Sequence, residues 1–166
     1  RDVERDAMRH AIAISRSALG STNPNPCVGA VVLDQSGTVI GEGVTQPIGG
    51  DHAEVAALRA AGAAARGSTL VVTLEPCAHT GRTQRCTDVI NAAGVARVVY
   101  AISDPHDIAA GGGAQLLAAG IDVESGLLSD DAATVLGRWV HAMAAGRPHV
   151  TWKYAATFDG RTAAAD

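Results

Sequence analysis

A chain of 166 residues with 47% hydrophobic side chains suits one domain that buries roughly 68–70% of its unfolded surface. Only 3% of it is aromatic, so Ala, Val, Leu and Ile must fill the core. A formal net charge of −4 and a pI near 5.8, with no basic block, exclude sequence-independent nucleic-acid binding but leave room for a small phosphorylated ligand held by one or two arginines. Three cysteines, an odd number, do not suit a disulfide framework and point to metal or thiol chemistry in a reducing compartment, the cytoplasm. No apolar run approaches the roughly 18 residues of a membrane span. The first residues are charged and helical in pattern, unlike a signal peptide, and the chain begins at Arg1 rather than Met, as a piece of something longer would.

Met8, Ala11, Ile12, Ser15, Ala18 and Leu19 recur at helical spacing and predict an amphipathic helix over residues 3–19. The stretch 20–26 ends it, because neither Pro24 nor Pro26 can continue a helix. Residues 28–33 and 38–44 read as a β-hairpin around Asp34-Gln35-Ser36-Gly37. A helix follows over 51–65, with Asp51 as N-cap and Gly67 beyond its end. Next come a buried strand (69–74), an irregular loop (75–85), a helix (86–93) ending at Gly94, and a strand (95–102). A Gly-rich loop (104–113), a short helix (114–119), a strand (121–124) and a final helix (130–145) complete the series. No internal repeat is present.

The alternation of strands and helices after the hairpin predicts an α/β fold, a three-layer α/β/α sandwich around a mixed, mostly parallel five-stranded sheet. Ligand sites on such sheets gather at the carboxyl ends of strands, and His52 and Cys77 both fall just past one. Residues 150–156 form one more strand-like run with nothing after it to pair with. The expected organisation is therefore a domain over 1–147, followed by a linker and the first strand of a truncated second domain over 148–166.

The chemistry concentrates in two segments, Asp51-His52-Ala53-Glu54-Val55 and Glu75-Pro76-Cys77 with Cys86 beyond. His52 and Glu54 are two apart, so a regular helix would splay them by about 200°; at a first turn both can address one point. One imidazole and two thiolates leave the fourth tetrahedral position of a zinc ion open to water, and a carboxylate beside it can move protons. Thiolates are favoured near a helix N-terminus, where free N–H groups stabilise negative charge. A purely structural zinc would want a fourth protein ligand, for which Cys27 and His79 are the candidates. Zinc nucleobase deaminases share the pattern H-x-E…P-C-x-x-C, but here eight residues, 78–85, separate the cysteines.

That longer insert is itself informative. The stretch from Thr73 to Cys86, Thr-Leu-Glu-Pro-Cys-Ala-His-Thr-Gly-Arg-Thr-Gln-Arg-Cys, resembles the deaminase domain of the bifunctional riboflavin biosynthesis proteins (RibD, or RibG). So do Asn23-Pro24-Asn25-Pro26-Cys27-Val28-Gly29, the His52 segment, and Asp104-Pro105 with its following glycines. The resemblance covers essentially the whole chain and implies a cytidine-deaminase-like fold. It implies that His52, Cys77 and Cys86 bind zinc and that Glu54 shuttles protons. The implied substrate is 2,5-diamino-6-ribosylamino-4(3H)-pyrimidinone 5′-phosphate, a small phosphorylated pyrimidine that loses its 2-amino group as ammonia.

The same resemblance implies substrate contacts from Asn23, His79 and Arg82, although Asn23 also suits an Asx-turn before proline and Arg82 a solvated loop. Thr45 stands where the family often has His, and His106 where Asn commonly follows Asp-Pro; both are expected on the substrate side. Residues 151–163 resemble the opening of the family's reductase domain, with Ala156 at a position that touches NADPH. Domains of this fold often pair, which implies a homo-oligomer. Two rival readings stand beside this one. One is another nucleobase or nucleoside deaminase acting on guanine or cytosine. The other is a degenerate zinc-stabilised interaction module, for which an intact Glu54 has no use.

Overall fold

Helix α1 (Asp2–Ser15) turns Ala7, Met8, Ala11 and Ile12 inward and continues as a 3-10 turn (Arg16–Ala18). The computed structural model describes residues 2–79, 84–106 and 108–162. The hairpin β1 (Gly29–Leu33) and β2 (Val39–Val44) follows, paired antiparallel from Gly29↔Val44 to Leu33↔Val39. Its turn is closed by Asp34 Oδ1, which accepts from the backbone N–H groups of Ser36 and Thr38 at 2.8 and 2.9 Å. Then come α2 (Ala53–Ala61, extended by a 3-10 turn, Gly62–Ala65), β3 (Thr69–Leu74), α3 (Cys86–Ala93) and β4 (Arg97–Ile102). Helix α4 (Gly112–Ala118), β5 (Asp122–Ser125) and α5 (Ser129–Ala145) complete the regular elements.

The strands lie in the order β2-β1-β3-β4-β5. β1 is antiparallel to both neighbours, while β3–β4 and β4–β5 are parallel. Four strands thus run one way and β1 alone is reversed, which is the mixed, mostly parallel sheet expected from the sequence. Alternate side chains feed two cores. Val31, Val71 and Val99 face α1 and the start of α5. Val32, Leu70, Val72 and Val98 face the opposite layer, with Ala57 and Leu58 of α2, Ile90 of α3 and Leu116 of α4. The result is the three-layer sandwich.

Local expectations needed correction at three places. The N-cap of α2 is His52, with an extended backbone (φ −71°, ψ 159°) and no capping side chain, rather than Asp51. Asp51 instead pairs with Arg59, which leaves the imidazole outside the helical register. The helix expected over 51–65 ends as α-helix at Ala61, because Gly62 takes a positive φ of 56°. Residues 150–156 form no strand; Val150, Trp152 and Tyr154 are exposed, and no described strand lies alongside to complete a hydrogen-bonded ladder.

Two glycines on β2 place α2. A Cβ at Gly41 would sit 2.4 Å from the Ala57 carbonyl oxygen, and one at Gly43 would sit 2.5 Å from that of Ala53. Being two apart, both face the helix, and their bare backbone lets its first turn lie directly on the sheet. Gly43→Ala should therefore destabilise the fold by about 1–3 kcal/mol, because the clash is with backbone that cannot swing aside. A lowered denaturation midpoint at unchanged m-value checks this; an unchanged midpoint refutes the close-packing account.

Candidate active site

Three elements converge on one point. His52 caps α2, Cys77 follows the end of β3, and Cys86 opens α3. The His52 Nδ1 atom lies 3.3 Å from Cys86 Sγ and 3.7 Å from Cys77 Sγ, and all three ligand atoms fall within 4.8 Å of one another. Zn–S bonds of about 2.3 Å and Zn–N bonds of about 2.0–2.1 Å, opened at a tetrahedral angle, put nitrogen and sulfur about 3.6 Å apart. Both nitrogen–sulfur spacings therefore suit zinc.

Sulfur chemistry fits as well. Cys77 Sγ accepts from the Cys86 backbone N–H at 3.4 Å, as a thiolate at a helix start does. Pairing with Cys86, then with His52, holds Cys77 below the usual thiol range, and the same pairing, with burial, pushes Cys86 up. Hydrogen bonding to Cys77 raises His52. A cation held by the two sulfurs would take the place of a thiol proton there.

Glu54, in the first turn of α2, is 3% exposed. Burial first, and the charge of Cys77 second, push its pKa up to about 7. A carboxyl group in that range takes and gives a proton with comparable ease at neutral pH.

A cleft of about 490 Å³ opens beside this trio, bordered by His52, Glu54 and Cys77. Thr45, His79 and His106 also line it, as their sequence positions led us to expect. Thr45 Oγ1 accepts from the Val28 N–H at 3.1 Å, so its hydroxyl proton stays available as a donor. His106 Nδ1 accepts from the Ile108 N–H at 3.3 Å, which makes Nε2 the donor nitrogen. His79 buries Nδ1 with no hydrogen-bond partner among the described residues. Arg82 lies outside the described residues.

One expected cleft contact lies elsewhere, and Ala156, expected at a reductase cofactor site, is likewise no part of this cleft. Asn23 is exposed and does not border the cleft; Asn25 does. The Asn25 N–H donates to the Thr22 carbonyl at 2.8 Å, so Asn23 and Pro24 occupy the corners of a turn and Asn25 its return limb. Ala156 lies in the exposed segment after α5, away from the cleft. Cys27 is no fourth ligand: its sulfur meets Thr22 Oγ1 at 3.4 Å, and it stands outside the metal-binding group.

Sequence reasoning passed over three further wall residues: Glu75, Asp104 and Trp139. Glu75 and Asp104 are buried, and burial, the largest cause, raises the Asp104 pKa. Trp139 of α5 donates from Nε1 to the Pro24 carbonyl at 3.0 Å and closes the far side. The hints in the chain were the places of Glu75 and Asp104 in the quoted motifs and the acidic residues close behind two apolar strands, Glu75 directly after β3 and Asp104 two residues after β4, which is uncommon unless they are hydrogen-bonded inside. All three cysteines are free, and no helix among the described residues is long and apolar enough to cross a membrane.

Comparison with known proteins agrees with this geometry. Residues 1–102 match the family described as the cytidine and deoxycytidylate deaminase zinc-binding region. The riboflavin biosynthesis protein RibD of Mycobacterium tuberculosis is 52% identical over 162 residues, covering 97% of this chain and 48% of that protein. The structure of Acinetobacter baumannii RibD superposes with a TM-score of 0.92 at 45% identity, covering 99% of this chain and 46% of the other. A Thermotoga maritima protein described as a diaminohydroxyphosphoribosylaminopyrimidine deaminase/5-amino-6-(5-phosphoribosylamino)uracil reductase gives a TM-score of 0.90 at 36% identity, covering 97% of this chain and 49% of the other. The chain spans about half the length of the curated relatives it matches. With a zinc-shaped His/Cys/Cys trio, a buried glutamate beside it and these likenesses, the chain belongs to the cytidine and deoxycytidylate deaminase zinc-binding family, and it is similar along nearly its whole length to RibD proteins.

Proposed function

We propose that this domain hydrolytically deaminates 2,5-diamino-6-ribosylamino-4(3H)-pyrimidinone 5′-phosphate in riboflavin biosynthesis, replacing its 2-amino group by oxygen from water and releasing ammonia. The observation that carries the reading is the convergence of His52, Cys77 and Cys86 beside a buried Glu54 on the wall of a cleft. Zinc held by the three ligands supplies a Lewis acid that makes water nucleophilic at neutral pH. Glu54 moves the protons: its carboxylate accepts one from the attacking water and passes it to the ring nitrogen, then accepts the second from the hydroxyl now on the attacked carbon and passes it to the amine, so that ammonia leaves as the carbonyl forms. Burial keeps bulk water from competing for that proton.

Around the ring, Thr45, Asn25, Asp104 and the Nε2–H of His106 offer a mixed set of donors and acceptors for an amino-pyrimidinone edge. Asn25 takes the role first assigned to Asn23. His79 stands on the insert side of the cleft, and we assign Arg82 to the phosphate there, as its guanidinium fork suits. We place the protein in the cytoplasm, whose reducing conditions keep zinc-binding thiols free. We further read residues 1–147 as the deaminase domain and 148–166 as the lead into a reductase, the second activity that the Thermotoga relative's description carries, and we assign NADPH to that reductase. The exposed Val150, Trp152 and Tyr154 support this, being apolar side chains that further chain would cover.

A substrate panel tests the reading. Zinc-loaded protein should release ammonia from the ribosylaminopyrimidine phosphate and leave guanine, cytosine and cytidine intact. Release from guanine or cytidine alone would move the chain to another deaminase class. No release from any of them, with zinc fully bound, would make it a zinc-stabilised module.

A further inference from the structure

Glu75 is no metal ligand and shuttles no proton in the mechanism above, yet it is only 7% exposed and borders the cleft. A buried carboxylate is tolerated when its oxygens are hydrogen-bonded, and both of these are. Oε2 accepts from the Asp104 N–H at 3.0 Å, and Oε1 accepts from the Gly113 N–H at 2.9 Å. Those two donors stand at opposite ends of the segment that leads from β4 into α4, so one side chain ties down both ends.

The neighbouring backbone is laced in the same direction. The Glu75 N–H donates to Ile102 O at 2.8 Å and the Ala78 N–H to Ala109 O at 3.0 Å. A Cβ at Gly112 would lie 1.7 Å from the Pro76 carbonyl oxygen, so α4 starts in contact with the residue just before Cys77. The segment so fixed carries Asp104 and His106, two of the cleft's polar groups. Only an acceptor with two free oxygens answers two N–H donors; glutamine would satisfy one and set its NH2 group against the other.

We propose that Glu75 is a positioning residue: its carboxylate sets the Asp104–His106 wall at a fixed distance from the Cys77 loop, and so from the metal ligands and Glu54. The proposal rests on the reading of the cleft as a deamination site. It deepens that reading by assigning to one residue the register between the wall that binds the ring and the centre that attacks it.

Glu75→Gln and Glu75→Ala, loaded with zinc, test it through zinc content, kcat and KM for the ribosylaminopyrimidine phosphate, and amide hydrogen exchange at Asp104 and Gly113. The Gln variant should keep wild-type zinc content while KM rises roughly tenfold and kcat falls less. The Ala variant should raise KM further. Exchange should quicken at the two amides and stay unchanged in β1 and β3. A wild-type KM with only melting temperature or yield reduced would show a merely structural carboxylate and overturn the proposal, as would loss of zinc with KM unchanged per bound metal. Glu75→Gln keeps shape and volume and carries the test if Glu75→Ala does not fold. Should the wild type itself release no ammonia from this compound, the deaminase reading falls, and exchange alone decides: faster at Asp104 and Gly113 keeps the staple, unchanged overturns it.

Discussion

Glu54→Gln should lower kcat for ammonia release by about 10²–10⁴-fold, the usual contribution of a general acid–base, while zinc content stays that of the wild type. The amide matches the carboxylate in shape, so the cleft and the three metal ligands keep their places, but it neither accepts nor delivers a proton. Stability should move the other way. Glu54 is 3% exposed, and burial pushes up its pKa because the ionised form is poorly solvated there. A neutral amide carries no such cost, so the variant should melt at the wild-type temperature or above it, as happens when a functional group is held at the expense of stability. Paired measurements of ammonia release, bound zinc and thermal melting check this. A variant that keeps more than about a tenth of wild-type kcat would remove Glu54 from the proton path.

Cys86→Ser should abolish both metal binding and activity. Cys86 is fully buried at the start of α3, its sulfur 3.3 Å from His52 Nδ1. A serine hydroxyl stays protonated at neutral pH and is a poor zinc ligand, and no other described residue stands within the ligand group to replace it. Bound metal also stabilises: at a free zinc concentration of 100 times Kd the gain is about 2.7 kcal/mol, because zinc favours the assembled site. The wild type should therefore melt higher with zinc than with chelator, and the variant should show no such difference. Metal analysis with melting curves in zinc and in chelator reads both. A Cys86→Ser protein that retains zinc and activity would contradict the ligand assignment.

Both tests address residues that are legible in the chain, and the reason is local. His52 and Cys86 sit where a loop meets a helix start and Cys77 lies just past the end of β3, and hydrophobic periodicity marks those boundaries. The strand at Thr69–Leu74 and the helix at Cys86–Ala93 came out at the expected residues, the first an unbroken apolar run and the second stopped by Gly94. The helix holding Glu54 was equally visible, although its cap was read one residue early: Asp51 is the better capping side chain in isolation, but it is drawn to Arg59 instead.

Periodicity says nothing about which strand lies beside which or which way a loop residue faces. The reversal of β1 follows from long-range pairing with β3 across forty residues of chain, as in Ala30↔Val72. Asn23 and Asn25 are indistinguishable by type and by the proline that follows each; the turn closed on Thr22 and the bond from Trp139 to Pro24 decide which one meets the cleft. The run at 150–156 has strand composition but no neighbour among the described residues, and a ladder needs two sides.

The element series, the candidate metal trio His52, Cys77 and Cys86, the candidate proton carrier Glu54 and, through the resemblance carried by the eight-residue gap between Cys77 and Cys86, membership of a deaminase family were therefore legible in the sequence by itself. Those properties depend on residue type and on spacing along one chain. Tertiary structure decided the walls of the cleft: Asn25 rather than Asn23, Trp139 from the last helix, and Glu75 with both oxygens committed to Asp104 and Gly113. Those depend on hydrogen bonds between segments far apart in sequence, which no local pattern encodes.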